Sequence, residues 1–315
     1  MLKTWPGRVE LEHVHINNVE IENTFAEAFE MWASRLIVTA TNDRWATTAA
    51  QTATGFATSI IACGCEAGID GVLSPEQTPD GRPGVIVLFF TMSSKDMEKV
   101  LLNRVGQCIM TSPTSACYDG LRADTKVKTG GKLRFFGDGF QSSKLLENRR
   151  LWRVPVMDGE FVIEESFSMQ QAIGGGNFLI LAENERAALS AAEAAVDEMC
   201  AVPGIIMPFP GGVVRSGSKV GSRYKGQFVS TNTAYCPTIR RQVASALPEG
   251  VNCVMEIVID GLDEGAVREA MRVGVQAACR AGVVRISAGN YGGKLGRYHF
   301  HLDEIMGVSQ VDGDV

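Results

Sequence analysis

The chemistry this sequence offers most clearly is one carboxylate set in an apolar run. Val251-Asn252-Cys253-Val254-Met255-Glu256-Ile257-Val258-Ile259 is rich in β-branched residues and is closed by Asp260-Gly261. That pattern predicts a short β-strand. Apolar residues on both alternating faces predict burial on both sides. Val254, Glu256 and Val258 share one face, and Cys253, Met255, Ile257 and Ile259 the other. A carboxylate buried there without a partner is costly, and the usual escape is a raised pKa. Such a group passes protons near neutral pH. The plainer reading is an edge or half-exposed strand with Glu256 in water, the common state of a glutamate.

Around this strand the second half of the chain carries glycine-rich turns. They are Gly174-Gly175-Gly176-Asn177, Phe209-Pro210-Gly211-Gly212, Gly217-Ser218-Lys219-Val220-Gly221-Ser222 and Ser287-Ala288-Gly289-Asn290-Tyr291-Gly292-Gly293-Lys294. Glycine lets backbone amides approach a ligand closely, although any one of these also reads as a simple tight turn. Phe209, Tyr235 and Tyr291 offer flat faces to a ring. Lys219 and Lys294 offer charge to a carboxylate or an oxyanion. With Gly211, Gly212, Ser218, Pro237 and Asn290 they are the candidate walls of a cleft beside Glu256. Their plainer roles are packing at a lobe junction and solvated lysines.

Other signatures fail. Gly289–Lys294 is one residue short of a phosphate-binding loop and lacks its Ser/Thr. Gly137-Asp138-Gly139 is not a dinucleotide fingerprint, and there is no GxSxG elbow. His13 and His15 have no third ligand nearby, and no Cys or His cluster has zinc spacing, so no metal site is expected.

The chain has 315 residues, 45% hydrophobic and 21% charged, enough for two domains with a core each. Its net charge of −6 argues against a general nucleic-acid binder. No run approaches a membrane span, and Met1–Gly7 lacks the apolar centre of a signal peptide. Eight scattered Cys read as free thiols in a reducing cytoplasm, where the protein is expected.

The spacing predicts a strand at Trp32–Ala40, a helix at Asp43–Thr54, and strands at Thr58–Cys63 and Val85–Thr91 joined by a Gly/Pro loop, Glu66–Gly84. A helix at Ser94–Ile109 and strands at Thr114–Tyr118 and Leu133–Phe136 complete the first half. The second half reads as a hairpin, Trp152–Val156 with Glu160–Ile163, then strand Phe178–Ala182, helix Glu185–Cys200 and strand Gly204–Phe209. After a long segment, Pro210–Gly250, come the Glu256 strand, helix Asp263–Arg280 and strands Val283–Ser287 and Arg297–Leu302. Each half runs βαββαβ, so the fold class is α+β, two ferredoxin-like (split βαβ) lobes. The expected division is an N-terminal extension (1–16), one lobe (17–150) and a second (151–315) carrying Glu256. Arg104-Val105-Gly106-Gln107 and Arg272-Val273-Gly274-Val275-Gln276, then Gly130-Gly131-Lys132-Leu133 and Gly292-Gly293-Lys294-Leu295, occur in corresponding places and suggest related lobes.

Seven blocks, in order, resemble formylmethanofuran–tetrahydromethanopterin formyltransferases. They are Asn18–Glu30, Glu66–Asp70, Thr78–Gly84, Phe136–Gly139, Pro208–Gly212, Ala234–Thr238 and Ser287–Gly296. The resemblance runs from about residue 17 to about 303. It departs in a longer N-terminus and a tail near Gly307–Val315. It implies two ferredoxin-like lobes and no permanently bound cofactor or metal. It implies formylmethanofuran and tetrahydromethanopterin as coenzyme substrates, and it places the catalytic Glu at Glu256. It further implies a homo-oligomer, in a bacterial source working within a formyltransferase/hydrolase complex.

The implied reaction moves formyl from an amide nitrogen to nitrogen-5 of the reduced pterin through a tetrahedral oxyanion. A single carboxyl of raised pKa accepts one proton and returns it. Two rivals stay open. A formyl hydrolase needs Glu256 but no pterin, and a non-catalytic carrier-binding subunit needs neither.

Overall fold

The computed structural model describes residues 14–61, 63–146 and 148–307. Most of the expected N-terminal extension, with His13, and the tail beyond Gly307 lie outside them. Val14–Ile16 is a strand paired with Val19–Ile21.

Twelve elements form the frame. The first half contributes β1 (Phe25–Thr39), α1 (Asp43–Thr54), β2 (Glu66–Leu73), β3 (Gly84–Thr91), α2 (Ser94–Arg104) and β4 (Ala116–Asp119). The second contributes β5 (Gln170–Ala182), α3 (Glu185–Met199), β6 (Ile205–Ile206), β7 (Cys253–Gly261), α4 (Glu264–Ala278) and β8 (Val283–Ser287). Each helix opens on a side chain that accepts from its first turn: Asn42, Ser93, Asn184 and Asp263. In the first half the strands lie in the order β4-β1-β3-β2, and in the second β8-β5-β7-β6, all neighbours antiparallel. This is an α+β protein.

One continuous sheet joins the halves, because β1 serves both. Its Phe29–Ala33 stretch pairs with Gln170–Gly174 of β5, and its Leu36–Thr39 stretch with β4. Phe25–Ala28 pairs in addition with the strand Tyr298–His301. These partners make β1 seven residues longer at its start than Trp32–Ala40 predicts. Two apolar cores follow. Ala-rich faces of α3 and α4 pack on Phe178, Ile180, Ile257 and Ile259. Faces of α1 and α2 pack on Leu36, Val38, Val87 and Phe89, together with Val154, Phe161 and Ile163 of the hairpin Arg149–Val156/Gly159–Glu164.

Four expectations need correcting. Of the expected strand Thr58–Cys63, the described residues 58–61 and 63 are irregular, and the strand begins at Glu66 inside the expected Gly/Pro loop. Pairing with β3 satisfies that backbone, and Gly68 is required because Ile206 of the second half packs where a Cβ would stand, at 2.9 Å. Leu133–Phe136 is no strand. It ends a short helix, Thr129–Leu133, and forms a single turn, Arg134–Gly137, held by Arg134 stacked between Phe135 and Trp152. Gly174–Asn177 is not a loop but a bulge inside β5, where Gly175 adopts φ +90°. The last expected strand before the long segment shrinks from Gly204–Phe209 to Ile205–Ile206.

Candidate active site

Helices cover one face of the β8-β5-β7-β6 sheet. Its other face is covered by the segment between β6 and β7. That segment holds a small hairpin, Ser218–Val220 with Val229–Thr231, and single helical turns at Pro210–Gly212, Thr233–Tyr235 and Pro237–Ile239. Tyr235, Leu247 and Val251 pack on Leu179, Leu181 and Val254 of the sheet. The alternation read in the sequence holds: Ile257 and Ile259 enter the helix-side core, while Val254 faces the covering segment.

Glu256 lies on that covered face, in one row with Leu179 and Ser287 across β7, β5 and β8. Val214 clamps its backbone with two bonds, Val214 N–H to Glu256 O at 2.8 Å and Glu256 N–H to Val214 O at 3.1 Å. Gly217 sits so near that a Cβ there would stand 3.0 Å from Glu256 Oε2. Among the described residues no donor or cation pairs with the carboxyl. Burial alone therefore acts on it and pushes its pKa up to about 7. It opens on a cavity of about 60 Å³ lined by Leu179, Arg215, Gly217, Asn232, Tyr235 and Cys236, among others. That space holds a few waters and no fused ring system. A larger groove, about 620 Å³, runs between α3 and α4 past Glu193, Asp197 and Arg280, on the opposite side of the sheet. It contains no group comparable to Glu256.

The other candidates fall into four groups. Tyr235 is a wall of the pocket, its phenol meeting Ser287; burial raises its pKa, and Glu256 adds to this. Tyr291 is half-buried; burial raises its pKa, and the Glu256 and Glu27 carboxyls add to this. Ser218 and Lys219 follow Gly217 into the hairpin, where Lys219 Nζ donates to Thr233 Oγ1 at 2.8 Å. Away from the pocket walls lie Phe209, Gly211, Gly212, Pro237, Asn290 and Lys294. Gly212 packs on Val196 of α3, and Asn290 donates to Thr24 Oγ1 and Phe25 O. Lys294 is exposed. Cys236, inside the expected wall 235–237, lines the pocket too, whereas Arg215 and Asn232 escaped the sequence reading, since no pattern distinguishes them within a long polar segment.

Two further carboxylates lie in the sheet. Asp260, four residues along β7, is fully buried, and burial with the neighbouring Glu66 carboxyl pushes its pKa well above the ordinary value. Glu27 of β1 is also buried, but four backbone amides reach it: Tyr291, Gly293, Leu295 and Gly296. Burial pushes its pKa up, yet the amides outweigh this and hold it below the ordinary value. Among the described residues no group of three His, Cys, Asp or Glu is placed to hold a metal ion, and no helix is long and apolar enough to cross a membrane.

Two family models match the chain. One, described as formylmethanofuran-tetrahydromethanopterin formyltransferase, spans residues 14–156, and the other, its proximal lobe, residues 159–305. A formylmethanofuran–tetrahydromethanopterin formyltransferase of Methylobacillus flagellatus is 58% identical over 92% of this chain and 99% of its own. The corresponding enzyme structure from Methanosarcina barkeri superposes with TM-score 0.89 at 48% identity, covering 93% of this chain and 100% of that one. A chain of the formyltransferase/hydrolase complex from Methylorubrum extorquens, solved with methylofuran, gives TM-score 0.91 at 50% identity, covering 93% and 99%. This chain belongs to the formylmethanofuran–tetrahydromethanopterin formyltransferase family.

Proposed function

We propose that the protein transfers a formyl group reversibly from formylmethanofuran to nitrogen-5 of tetrahydromethanopterin, with Glu256 as the acid/base. The observation that carries the mechanism is the lone carboxyl of Glu256, raised by burial to about 7 at the base of a small pocket. As nitrogen-5 attacks the formyl carbon, the carboxylate takes its proton. The acid then returns that proton to the leaving amide nitrogen as the C–N bond breaks, so Glu256 ends as it began. A pKa near neutrality lets one group serve in both directions. The small cavity fits a formyl group, and a formyl group seated there displaces the water that would hydrolyse it. Asn232, Arg215 and Tyr235 on the wall are the donors proposed for the oxyanion. The coenzyme rings then lie outside the cavity, toward Tyr291, Lys219 and Lys294.

The strand orders β4-β1-β3-β2 and β8-β5-β7-β6 support two ferredoxin-like lobes. The junction falls within the hairpin Arg149–Glu164, since the family models part between residues 156 and 159 while Phe161 and Ile163 pack on the first core. The protein works as an assembly in the cytoplasm. Support comes from the solved relative in a formyltransferase/hydrolase complex and from the exposed Phe135, Phe136, Phe140 and Leu145. A fully active monomer by light scattering would sink the assembly.

The decisive test mixes the purified chain with formylmethanofuran and tetrahydromethanopterin, singly and together. Formyl-pterin only with both supports the transferase. Free formate from formylmethanofuran alone means a hydrolase, and no turnover means a carrier-holding subunit.

A further inference from the structure

Glu27 has no place in that mechanism, yet it is among the most heavily bonded carboxylates in the molecule. It is 1% exposed and lies in the middle of the strand pairing of Phe25–Ala28 with Tyr298–His301. Its Oε2 accepts from the amides of Tyr291 at 2.6 Å and Gly293 at 2.9 Å. Its Oε1 accepts from Leu295 at 2.6 Å and from Gly296. Every lone pair suited to an amide is thereby used, and one loop is gripped at both ends. The same loop is tied at its base by Asn177 of β5, which accepts from Gly289 N–H at 2.6 Å and donates to Gly289 O at 3.1 Å. Asn290 fastens it to Thr24 and Phe25. Gly292 and Gly293 supply the left-handed turns, φ +73° and +70°, that let the amides of 291, 293, 295 and 296 converge on one carboxylate. Tyr291 leaves this frame with its ring 6.1 Å from Phe29, in a loop that springs from β8 directly after Ser287, the residue in one row with Leu179 and Glu256. A Cβ at Gly296 would stand 2.5 Å from Ala28 O, so the loop has no room to settle elsewhere against β1.

We propose that Glu27 is a positioning residue for the formyl-transfer site: its buried carboxylate holds the Tyr291–Gly296 loop so that the Tyr291 side chain is fixed beside the Glu256 pocket. Glu27 does not touch substrate; it acts through Tyr291. This rests on the Glu256 pocket being the reaction site. A neutral amide at position 27 cannot reproduce the grip. One carbonyl oxygen accepts two amides at most, and the new NH₂ would point donors at donors.

Three purified full-length variants test it: Glu27→Gln, Tyr291→Ala and the pair combined, with Glu256→Gln alongside. Hydrogen exchange of residues 289–296 is read without any coenzyme. Michaelis constants are then measured for formylmethanofuran and tetrahydromethanopterin. Glu27→Gln is expected to speed exchange in that loop and raise at least one Michaelis constant roughly tenfold, since misplacement of a site wall is felt strongly. Tyr291→Ala should then add less than about twofold, because both changes remove the same contact. A merely structural Glu27 would lower the amount of active enzyme and leave both Michaelis constants alone. Unchanged exchange, unchanged Michaelis constants, or fully multiplicative effects each overturn the proposal. If Glu27→Gln does not fold, Glu27→Asp, which keeps the charge and shortens the reach, carries the same readouts and criteria. If Glu256→Gln keeps full activity while Glu27→Gln loosens the loop and raises a Michaelis constant, the Glu256 mechanism fails and the positioning role stands.

Discussion

Glu256 and Glu27 occupy matching surroundings in the sequence: one carboxylate flanked by apolar residues in a strand, Val-Met-Glu-Ile-Val in one case and Phe-Ala-Glu-Ala-Phe in the other. The fold gives them opposite electrostatics. Around Glu27, four amides replace the lost water and keep it ionised. Around Glu256, the covering segment buries the carboxyl without pairing any donor with it, so its pKa climbs to about 7. Burial sets the cost of a charge, and the donors that accompany it decide whether the charge survives. The charged glutamate is suited to holding a loop, and the half-protonated one to moving a proton.

Three outcomes could break this contrast outright. The largest expected effect is on catalysis: Glu256→Gln should lower turnover by ~10²-fold or more with the fold intact. Steady-state assay checks this, and near-normal turnover would remove Glu256 from the chemistry. Next comes stability, with opposite signs at the two sites. Glu27→Gln leaves about two buried amides unpartnered and should cost on the order of 2–4 kcal/mol. Glu256→Gln removes a group that is hard to ionise in place and should stabilise the fold at pH 8 by roughly 2–3 kcal/mol. Urea midpoints of the three proteins at pH 8 settle the signs, and a destabilised Glu256→Gln would mean that the carboxyl has a partner.

The pH dependence sharpens the same point. A carboxyl whose folded pKa lies above its unfolded value of 4.5 costs stability as pH rises from about 4.5 to 7. Glu256 is such a group, so wild type should lose stability across that window by an amount that Glu256→Gln largely abolishes. Asp260 shifts the same way, for burial and its Glu66 neighbour, and leaves a residual slope in that variant. Glu27 shifts the other way: its contribution is present above the unfolded value and is lost only as pH falls through its lowered folded value. Urea titrations from pH 3 to 8 separate the two limbs.

Smaller effects belong to the pocket rim. Gly217→Ala places a methyl 3.0 Å from Glu256 Oε2 and should lower kcat/KM roughly tenfold by shifting the carboxyl, with little change in the urea midpoint. Wild-type kinetics there would show that the segment at Gly217 gives way. Lys294 is exposed, so Lys294→Met should change stability by less than ~0.5 kcal/mol. A larger loss in thermal unfolding would reveal a partner for it.

Local signals were legible where local physics decides. Asn42, Ser93, Asn184 and Asp263 each start a helix because a side-chain oxygen satisfies a free amide at that end. The bounds of Asp43–Thr54 and Val283–Ser287 follow from capping and β-branching alone. The two faces of the Glu256 strand follow from its period of two. Long-range partners remained hidden. The strand Glu66–Leu73 carries Gly68 and Gly71 like a loop, and it is a strand only because β3 and Ile206 come to meet it. The bulge at Gly175 reads as a turn until β7 is laid beside it.

The amino-acid order by itself therefore determined that a carboxylate stands in an apolar strand at 256, together with the helices and most strands around it, whereas the strand that holds Glu27 begins seven residues before the one the sequence predicts, drawn out by its partners. Only the tertiary structure decided which of the two is charged. The four amides that ionise Glu27 come from residues 291–296, more than 260 positions away. The segment that buries Glu256 is fixed by Val214 and Gly217, which meet it only when β7 is paired within the sheet. A pKa is set by what lies within a few ångströms, and those neighbours are chosen by the fold.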